Sequence, residues 1–152
     1  MMTTRRTLIA SLGAMLALPT LAAKPQGPAM EVWKDPNCGC CKDWVKHLEQ
    51  AGFAVRVYDT GNEARRAALG VPPALGSCHT GVVAGYAIEG HVPAKDIQRL
   101  LREKPRALGL SVPGMPIGSP GMDGAIYQGR KDPFDVLLVA ANGSSTVFQS
   151  YR

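Results

Sequence analysis

Residues 30–52 read MEVWKDPNCGCCKDWVKHLEQAG and contain the clearest secondary-structure pattern in the chain. It begins with alternating apolar and polar side chains, which predict a short β-strand over residues 30–34 that ends at Asp35-Pro36-Asn37. From Cys41 onward, apolar residues recur at helical spacing, and Gly52 gives a signal for the helix to end. The stretch therefore predicts a strand, a cysteine-rich turn and a helix, which is the start of a β-α-β unit.

The sequence after Gly52 continues to alternate between strand-like and helix-like patterns. A turn is predicted at Glu89-Gly90, with a further short strand after it, and Pro93 suits the first turn of a helix. The resulting order, β-α-β-α-β-(β)-α, predicts the α/β class. The remaining predicted elements are strands at residues 53–58 and 80–88 and helices at residues 62–69 and 94–104.

The composition changes after Pro105. Residues 108–124 are rich in glycine and proline, which predicts a loop. Residues 135–140 and 146–151 are predicted to form a β-hairpin around Asn142-Gly143, and its register stays open because the connection exceeds two residues. This extension has too little apolar content for a core of its own, so we expect it to dock on the preceding part.

The N-terminal residues have the pattern of an export signal. Arg5 and Arg6 precede an apolar run of signal-peptide length, and the small residues Thr20 and Ala22 fit a cleavage site. The arginine pair also loosely resembles a twin-arginine signal. Cleavage after Ala22 predicts a periplasmic protein; the alternative is an uncleaved N-terminal anchor, although the run is shorter than the ~20 residues of a membrane span. The predicted division is a signal at residues 1–22, a leader at 23–29, a core at 30–105 and an extension at 106–152.

Composition excludes several classes of protein. The chain has 152 residues, a length that suits one domain, and its 45% apolar content excludes general disorder. Arg5 and Arg6 supply two units of the formal net charge of +5, and the other charges are interspersed without a basic stripe, so we expect no nucleic-acid partner. After signal removal we expect no membrane span, and a monomer.

Three of the four cysteines lie in the turn between the first strand and the first helix. Cys38 and Cys41 alone form a C-x-x-C pair, which is typical of a thioredoxin-like redox site with Cys38 as nucleophile and Cys41 as resolving thiol. The positive end of the helix stabilises a thiolate there. Cys40 complicates this interpretation because it invites disulfide scrambling, whereas three adjacent thiolates favour a soft metal ion and Gly39 helps the sulfurs converge.

Two structural roles for the cysteines stay open. In an exported protein they can form inert disulfides, for example Cys38–Cys41 together with Cys40–Cys78. They can also bind zinc, although zinc sites usually use two separated pairs, and this chain has one tight cluster and a single cysteine.

Further soft donors follow along the chain. In a thioredoxin-like arrangement the loop before the third strand lies beside the redox turn, so Cys78 and His79 are expected to approach the first cluster. His91 is either a further ligand or a turn residue, and His47 is expected to be solvated. Met115 and Met122 each end a Pro-Gly-Met unit and are either ligands or lightly packed loop residues. Thiolate, thioether and imidazole together select Cu(I) over hard ions.

Four motifs resemble those of CopG-type proteins, a family once labelled only as a domain of unknown function whose genes often accompany bacterial copper-resistance genes. The resemblance covers residues 30 to about 151 and implies a thioredoxin-like domain with a C-terminal extension that helps bind metal. It also implies periplasmic copper handling, with interconversion of Cu(I) and Cu(II). The motifs are WKDPNCGCC at 33–41, CHT at 78–80, EGHVP at 89–93 and PGMPIGSPGM at 113–122. The metal ligands implied are Cys38, Cys40, Cys41, Cys78, His79, His91, Met115 and Met122.

The sequence thus predicts an exported copper-binding protein of copper resistance that holds one or more copper ions. Periplasmic copper-efflux or copper-carrier proteins are its expected partners. Two alternatives stay open: a thiol–disulfide oxidoreductase that uses Cys38 and Cys41, and a metallochaperone without redox chemistry.

Overall fold

The computed structural model describes residues 27–152, so the predicted signal and most of the leader lie outside the described residues. Within that range the chain forms three α-helices and one seven-stranded mixed sheet, and the predicted α/β class is confirmed. The strands are β1 (Ala29–Lys34), β2 (Ala54–Tyr58), β3 (His79–Val83), β4 (Tyr86–Glu89), β5 (Gly109–Ser111), β6 (Phe134–Val139) and β7 (Ser145–Tyr151). The helices are α1 (Gly39–Gln50), α2 (Asn62–Ala68) and α3 (Ala94–Glu103).

The strand order in the sheet is β2-β1-β3-β4-β5-β6-β7. β1 pairs with β2 and β4 with β5 in parallel, whereas all other neighbours are antiparallel. In this register Lys34 at the end of β1 lies opposite His79 at the start of β3, and Thr80 lies opposite Glu89. The cysteine-rich turn after β1 therefore lies next to the chain that enters β3.

One apolar core spans the whole sheet. Trp44 from α1 and Ile97 from α3 are fully buried, and they belong to the same cluster as Val32 in β1 and Val136 in β6. The C-terminal strands thus share the core of the first part, as expected from their own low apolar content. None of the helices among the described residues has the length and apolarity that a bilayer span requires.

Three sequence predictions about strands were wrong. The stretch 80–88 forms two strands rather than one, because Ala84 and Gly85 both adopt left-handed backbone conformations, with φ of 48° and 85°, and close a two-residue hairpin. The chain then enters α3 without the short strand expected after Gly90. The predicted loop 108–124 contains β5, where the backbone passes so close to Ala87 that Gly109 has no room for a Cβ.

The predicted C-terminal hairpin is present. β6 and β7 pair from Phe134 opposite Tyr151 to Val139 opposite Ser145, with an irregularity between Val136 and Leu137. The sequence alone does not define this register.

Candidate metal centre

The N-terminus of α1 positions the first three cysteines. The Cys38 amide donates to the Asp35 carbonyl at 3.1 Å, and the Cys38 sulfur accepts from the Cys41 amide at 3.4 Å, so Cys38 caps the helix. Cys38 and Cys41 form a disulfide, whereas Cys40 and Cys78 are free thiols. The structure thus contains one of the two bridges that the sequence left open, without the Cys40–Cys78 bridge.

The two clusters predicted from the sequence lie together. Cys78 directly precedes β3, and its Sγ lies 3.3 Å from the Cys41 Sγ. The same atom lies 3.3 Å from the His79 Nδ1 and 3.2 Å from the His91 Nε2. On the other side of the disulfide, the Cys40 Sγ is 3.4 Å from the Cys38 Sγ.

These donors form two overlapping groups. The cysteine group comprises the four sulfurs of Cys38, Cys40, Cys41 and Cys78, and the histidine group comprises Cys78, His79 and His91. Within each group all donor atoms lie within 4.8 Å of one another, which is close enough for a single metal ion to share them. Cys78 belongs to both groups, so its sulfur can bridge ions held on either side.

Hydrogen bonds to main-chain carbonyls fix the tautomers of both histidines. The His79 Nε2 lies 2.9 Å from the Gly90 carbonyl and the His91 Nδ1 lies 2.8 Å from the Pro120 carbonyl. A carbonyl oxygen only accepts, so each of these ring nitrogens carries the proton. The opposite nitrogens, which face the Cys78 sulfur, therefore present lone pairs suited to a metal ion.

Burial keeps these groups uncharged in the absence of a metal. Desolvation lowers the pKa of His79 well below its ordinary value and lowers that of His91 as well, so both imidazoles are neutral at pH 7. Burial, reinforced by neighbouring Cys40, raises the pKa of the Cys78 thiol to about 12. A metal ion that binds Cys78 must therefore displace its proton.

The segment with the two Pro-Gly-Met units lies against the centre. The Gly114 amide donates to the Gly76 carbonyl at 3.1 Å, and the Ser77 hydroxyl donates to the Gly114 carbonyl at 2.5 Å. The second unit accepts the hydrogen bond from His91 through Pro120 and packs on α1 at Gly121.

The methionines themselves have different environments. The thioether of buried Met122 accepts a hydrogen bond from the Tyr127 hydroxyl at 3.3 Å, whereas Met115 is 53% exposed. The hydrogen bond to the Met122 thioether comes from outside the two donor groups, and both methionine ligands stay predictions.

One expectation about a histidine was wrong. His47 is half-buried rather than solvated, and its Nε2 accepts a hydrogen bond from the Ala94 amide at 3.1 Å. Pro93 offers no side-chain cap to α3, so His47 satisfies a free amide at the start of that helix. This contact joins residues 47 positions apart, so the local sequence pattern around His47 does not reveal it.

Sequence reasoning also missed two buried charged residues beside the centre. Lys34 is only 3% exposed and pairs with Asp59 at 2.5 Å, at the end of β1 opposite His79. Glu89 is fully buried and pairs with Arg66 at 3.0 Å. A charged residue at a strand end is ordinarily solvated, so the sequence does not predict the burial of Lys34 or Glu89. The one signal was that Glu89 lies two positions before His91, a candidate ligand.

The fold and the donor set define a mixed α/β protein with a thiol- and imidazole-rich centre that is able to hold soft metal ions. Residues 75–122 match the family described as "Protein of unknown function, DUF411". Among curated proteins no match is found.

Two solved structures are similar over most of the chain. They are titled "Copper resistance protein copG- Form 2" and "Copper resistance protein copG- Form 1". Each has 47% sequence identity and a TM-score of 0.75, and the match covers 82% of this chain and 98% of the other. The chain therefore belongs to the CopG family of copper resistance proteins, and the resemblance stated from the sequence motifs is confirmed.

Proposed function

We propose that this chain binds copper in the service of copper resistance, with Cu(I) held by the cysteine group and the histidine group together. The observation that carries the proposal is the position of the Cys78 sulfur, 3.3 Å from Cys41 and 3.2 Å from the His91 imidazole. One shared thiolate links two sets of donors, which supports the binding of more than one ion.

The chemistry of the donors favours copper over other common metals. Thiolate and imidazole are soft to intermediate ligands, and calcium or magnesium would need oxygen donors, which neither group supplies. Zinc accepts similar ligands, so the distinction from zinc depends on the family of copper resistance proteins to which the chain belongs. Met115 and Met122 are proposed as additional ligands, which would add to the preference for Cu(I).

The disulfide connects copper binding to the thiol state of the protein. With Cys38 and Cys41 bridged, Cys40 and Cys78 are the two free thiols among the described residues. Two electrons and two protons from an external thiol reductant convert the bridge to two thiols and complete the cysteine group. Imidazole tolerates both Cu(I) and Cu(II), so we infer that the mixed donor set allows copper to change oxidation state while bound.

A thiol–disulfide oxidoreductase is the second candidate, favoured by the Cys38–Cys41 bridge at the start of α1. Cys38 is partly exposed and Cys41 is buried, as expected of a nucleophile and its resolving partner. The strand order β2-β1-β3-β4, with α1 following β1, supports a thioredoxin-like arrangement for residues 30–105, with 106–152 as an extension that helps bind metal. A copper chaperone without redox chemistry is the third candidate.

The proposed setting is the periplasm. The N-terminal pattern of paired arginines, apolar run and small residues supports export as a cleaved precursor. Within that compartment we propose copper-efflux or copper-carrier proteins as partners, and a monomeric state.

The proposal is tested by titrating the reduced protein with Cu(I) under anaerobic conditions against a chromophoric chelator. We expect tight binding of more than one ion, with a lower stoichiometry in Cys40→Ser and a further loss in Cys78→Ser. Weak Cu(I) binding, or binding that neither substitution changes, would refute the proposal that these thiols bind copper. A disulfide-reductase activity that persists in Cys40→Ser and in excess chelator would favour the oxidoreductase instead.

A further inference from the structure

A fully buried carboxylate lies beside the proposed copper ligands without belonging to either donor group. Glu89 is the last residue of β4 and stands two positions before His91 in the chain. A carboxylate without exposure to water needs hydrogen-bond partners that replace its hydration, and the identity of those partners shows which part of the molecule it organises.

The partners of Glu89 flank the ligands of the histidine group. Its Oε1 accepts from the Ser77 amide at 2.7 Å and from the Arg66 guanidinium at 3.0 Å, and its Oε2 accepts from the Thr80 hydroxyl at 2.6 Å. Ser77 directly precedes Cys78, and Thr80 directly follows His79. The carboxylate therefore holds the Cys78-His79 pair from both sides.

Arg66 completes this arrangement from α2. The same Nη1 that contacts Glu89 also donates to the Ser77 carbonyl at 3.1 Å. The ion pair thus engages both the N–H and the C=O of Ser77, and it ties the residue before Cys78 to α2 and β4.

The backbone around Gly90, next to His91 of the histidine group, is also tightly packed. A Cβ at Gly90 would stand 2.4 Å from the Val112 carbonyl and 2.7 Å from the Ser77 Cβ, so the chain from Glu89 to His91 is pressed against the Ser77 turn. Glu89 therefore connects the two segments that must meet for Cys78, His79 and His91 to share an ion.

We propose that Glu89, held by Arg66, is a positioning residue that sets the distances among the three donors of the histidine group. This inference rests on the proposed copper-binding function. Residues that orient metal ligands through hydrogen bonds typically change metal affinity by roughly 10–100-fold when they are removed, without contacting the metal. A buried ion pair that served stability alone would change the melting temperature and leave the ligand set of bound copper intact.

The test compares Glu89→Ala and Glu89→Gln in the full chain, reduced and anaerobic, with Cu(I) as the probe. Affinity is measured by chelator competition, and X-ray absorption at the copper edge measures the ratio of nitrogen to sulfur ligands. We expect Glu89→Ala to lose roughly 10–100-fold in affinity at the nitrogen-ligated copper and to lose nitrogen scattering. Glutamine keeps an acceptor for the Ser77 amide, so Glu89→Gln should restore most of the nitrogen signal.

Asp96→Asn is the matched control. Asp96 is a second buried carboxylate, 4% exposed, which accepts a hydrogen bond from the Tyr151 hydroxyl at 2.6 Å and thereby joins α3 to β7. We expect this substitution to change stability but neither the affinity nor the ratio of nitrogen to sulfur ligands.

Two outcomes would overturn the inference or its basis, and a second variant covers the case in which the first does not fold. A Glu89→Ala protein that keeps wild-type affinity and nitrogen scattering shows that Glu89 does not position the ligands, while copper binding itself stands. If Glu89→Ala does not fold, Arg66→Gln is measured instead, because Arg66 is partly exposed and its loss leaves Glu89 with two hydrogen-bond partners. Wild-type affinity and nitrogen scattering in Arg66→Gln would then contradict the inference. A wild-type protein without thiol-dependent Cu(I) binding overturns the proposed function first.

Discussion

Substitution of Gly121 by alanine should separate the Pro-Gly-Met loop from the candidate metal centre. Gly121 has a φ of +83°, and a Cβ there would stand 2.5 Å from the Cys40 carbonyl oxygen and 2.8 Å from the Trp44 amide nitrogen. A left-handed conformation costs a non-glycine residue roughly 1–2 kcal/mol, and overpacking adds roughly 1–3 kcal/mol. We therefore expect a loss of about 2–5 kcal/mol in the free energy of unfolding, measured by denaturant titration, because both opposing atoms are backbone atoms that cannot rotate away.

The same substitution should weaken copper binding. Gly121 follows Pro120, whose carbonyl fixes the His91 tautomer, so displacement of the loop releases the His91 ring and lowers the Cu(I) affinity. Gly124→Ala is the matched control in the same loop, because Gly124 has a φ of −65° and a Cβ at this position would meet nothing within 4 Å. If Gly121→Ala matches Gly124→Ala in both stability and Cu(I) affinity, the loop does not hold His91 in place.

Two further predictions concern α1. Gly39→Ala should stabilise the protein by roughly 0.4–1 kcal/mol, measured by denaturant titration. The reason is that a Cβ at Gly39 would meet nothing within 4 Å and that the φ of Gly39 is not positive. A loss of stability would show that the cysteine turn requires glycine. Desolvation lowers the pKa of His47 below its ordinary value of 6.5, and the nearby charge of Asp123 only partly offsets this effect. The unfolded chain therefore binds the proton more readily than the folded one, so stability should fall as the pH drops below 6.5. In His47→Gln this part of the pH dependence of the melting temperature should disappear, and an unchanged pH profile would contradict the assignment.

Much of the fold was predictable because its elements carry local signals. The helical spacing after Cys41 and the alternation in β2 correspond to observed elements, and the C-terminal hairpin was anticipated as well. The hairpin between β3 and β4 was missed because Ala84 occupies a left-handed position that alanine rarely adopts. β5 was missed because three residues that include Gly109 carry no periodic pattern.

The candidate site was predictable as a set of residue types but not as a network. Cysteine spacing and the expected position of the third strand placed Cys78 beside the first cluster, and the structure has these sulfurs in contact. The pair of Glu89 and Arg66 depends on contacts between residues 23 positions apart, for which a single sequence contains no signal. The hydrogen bond from His91 to Pro120 is hidden in the same way.

The disulfide makes the two donor groups respond differently to reduction. Half of the cysteine group is bridged and becomes available only when the bridge is reduced, whereas no atom of the histidine group belongs to the bridge. The two imidazoles are oriented by main-chain carbonyls, and these contacts involve neither bridged sulfur. Under the proposed function, copper held by the histidine group would keep these three donors while thiol donors are gained or lost 3.3 Å away at Cys41, which is what the proposed change of oxidation state without release would require.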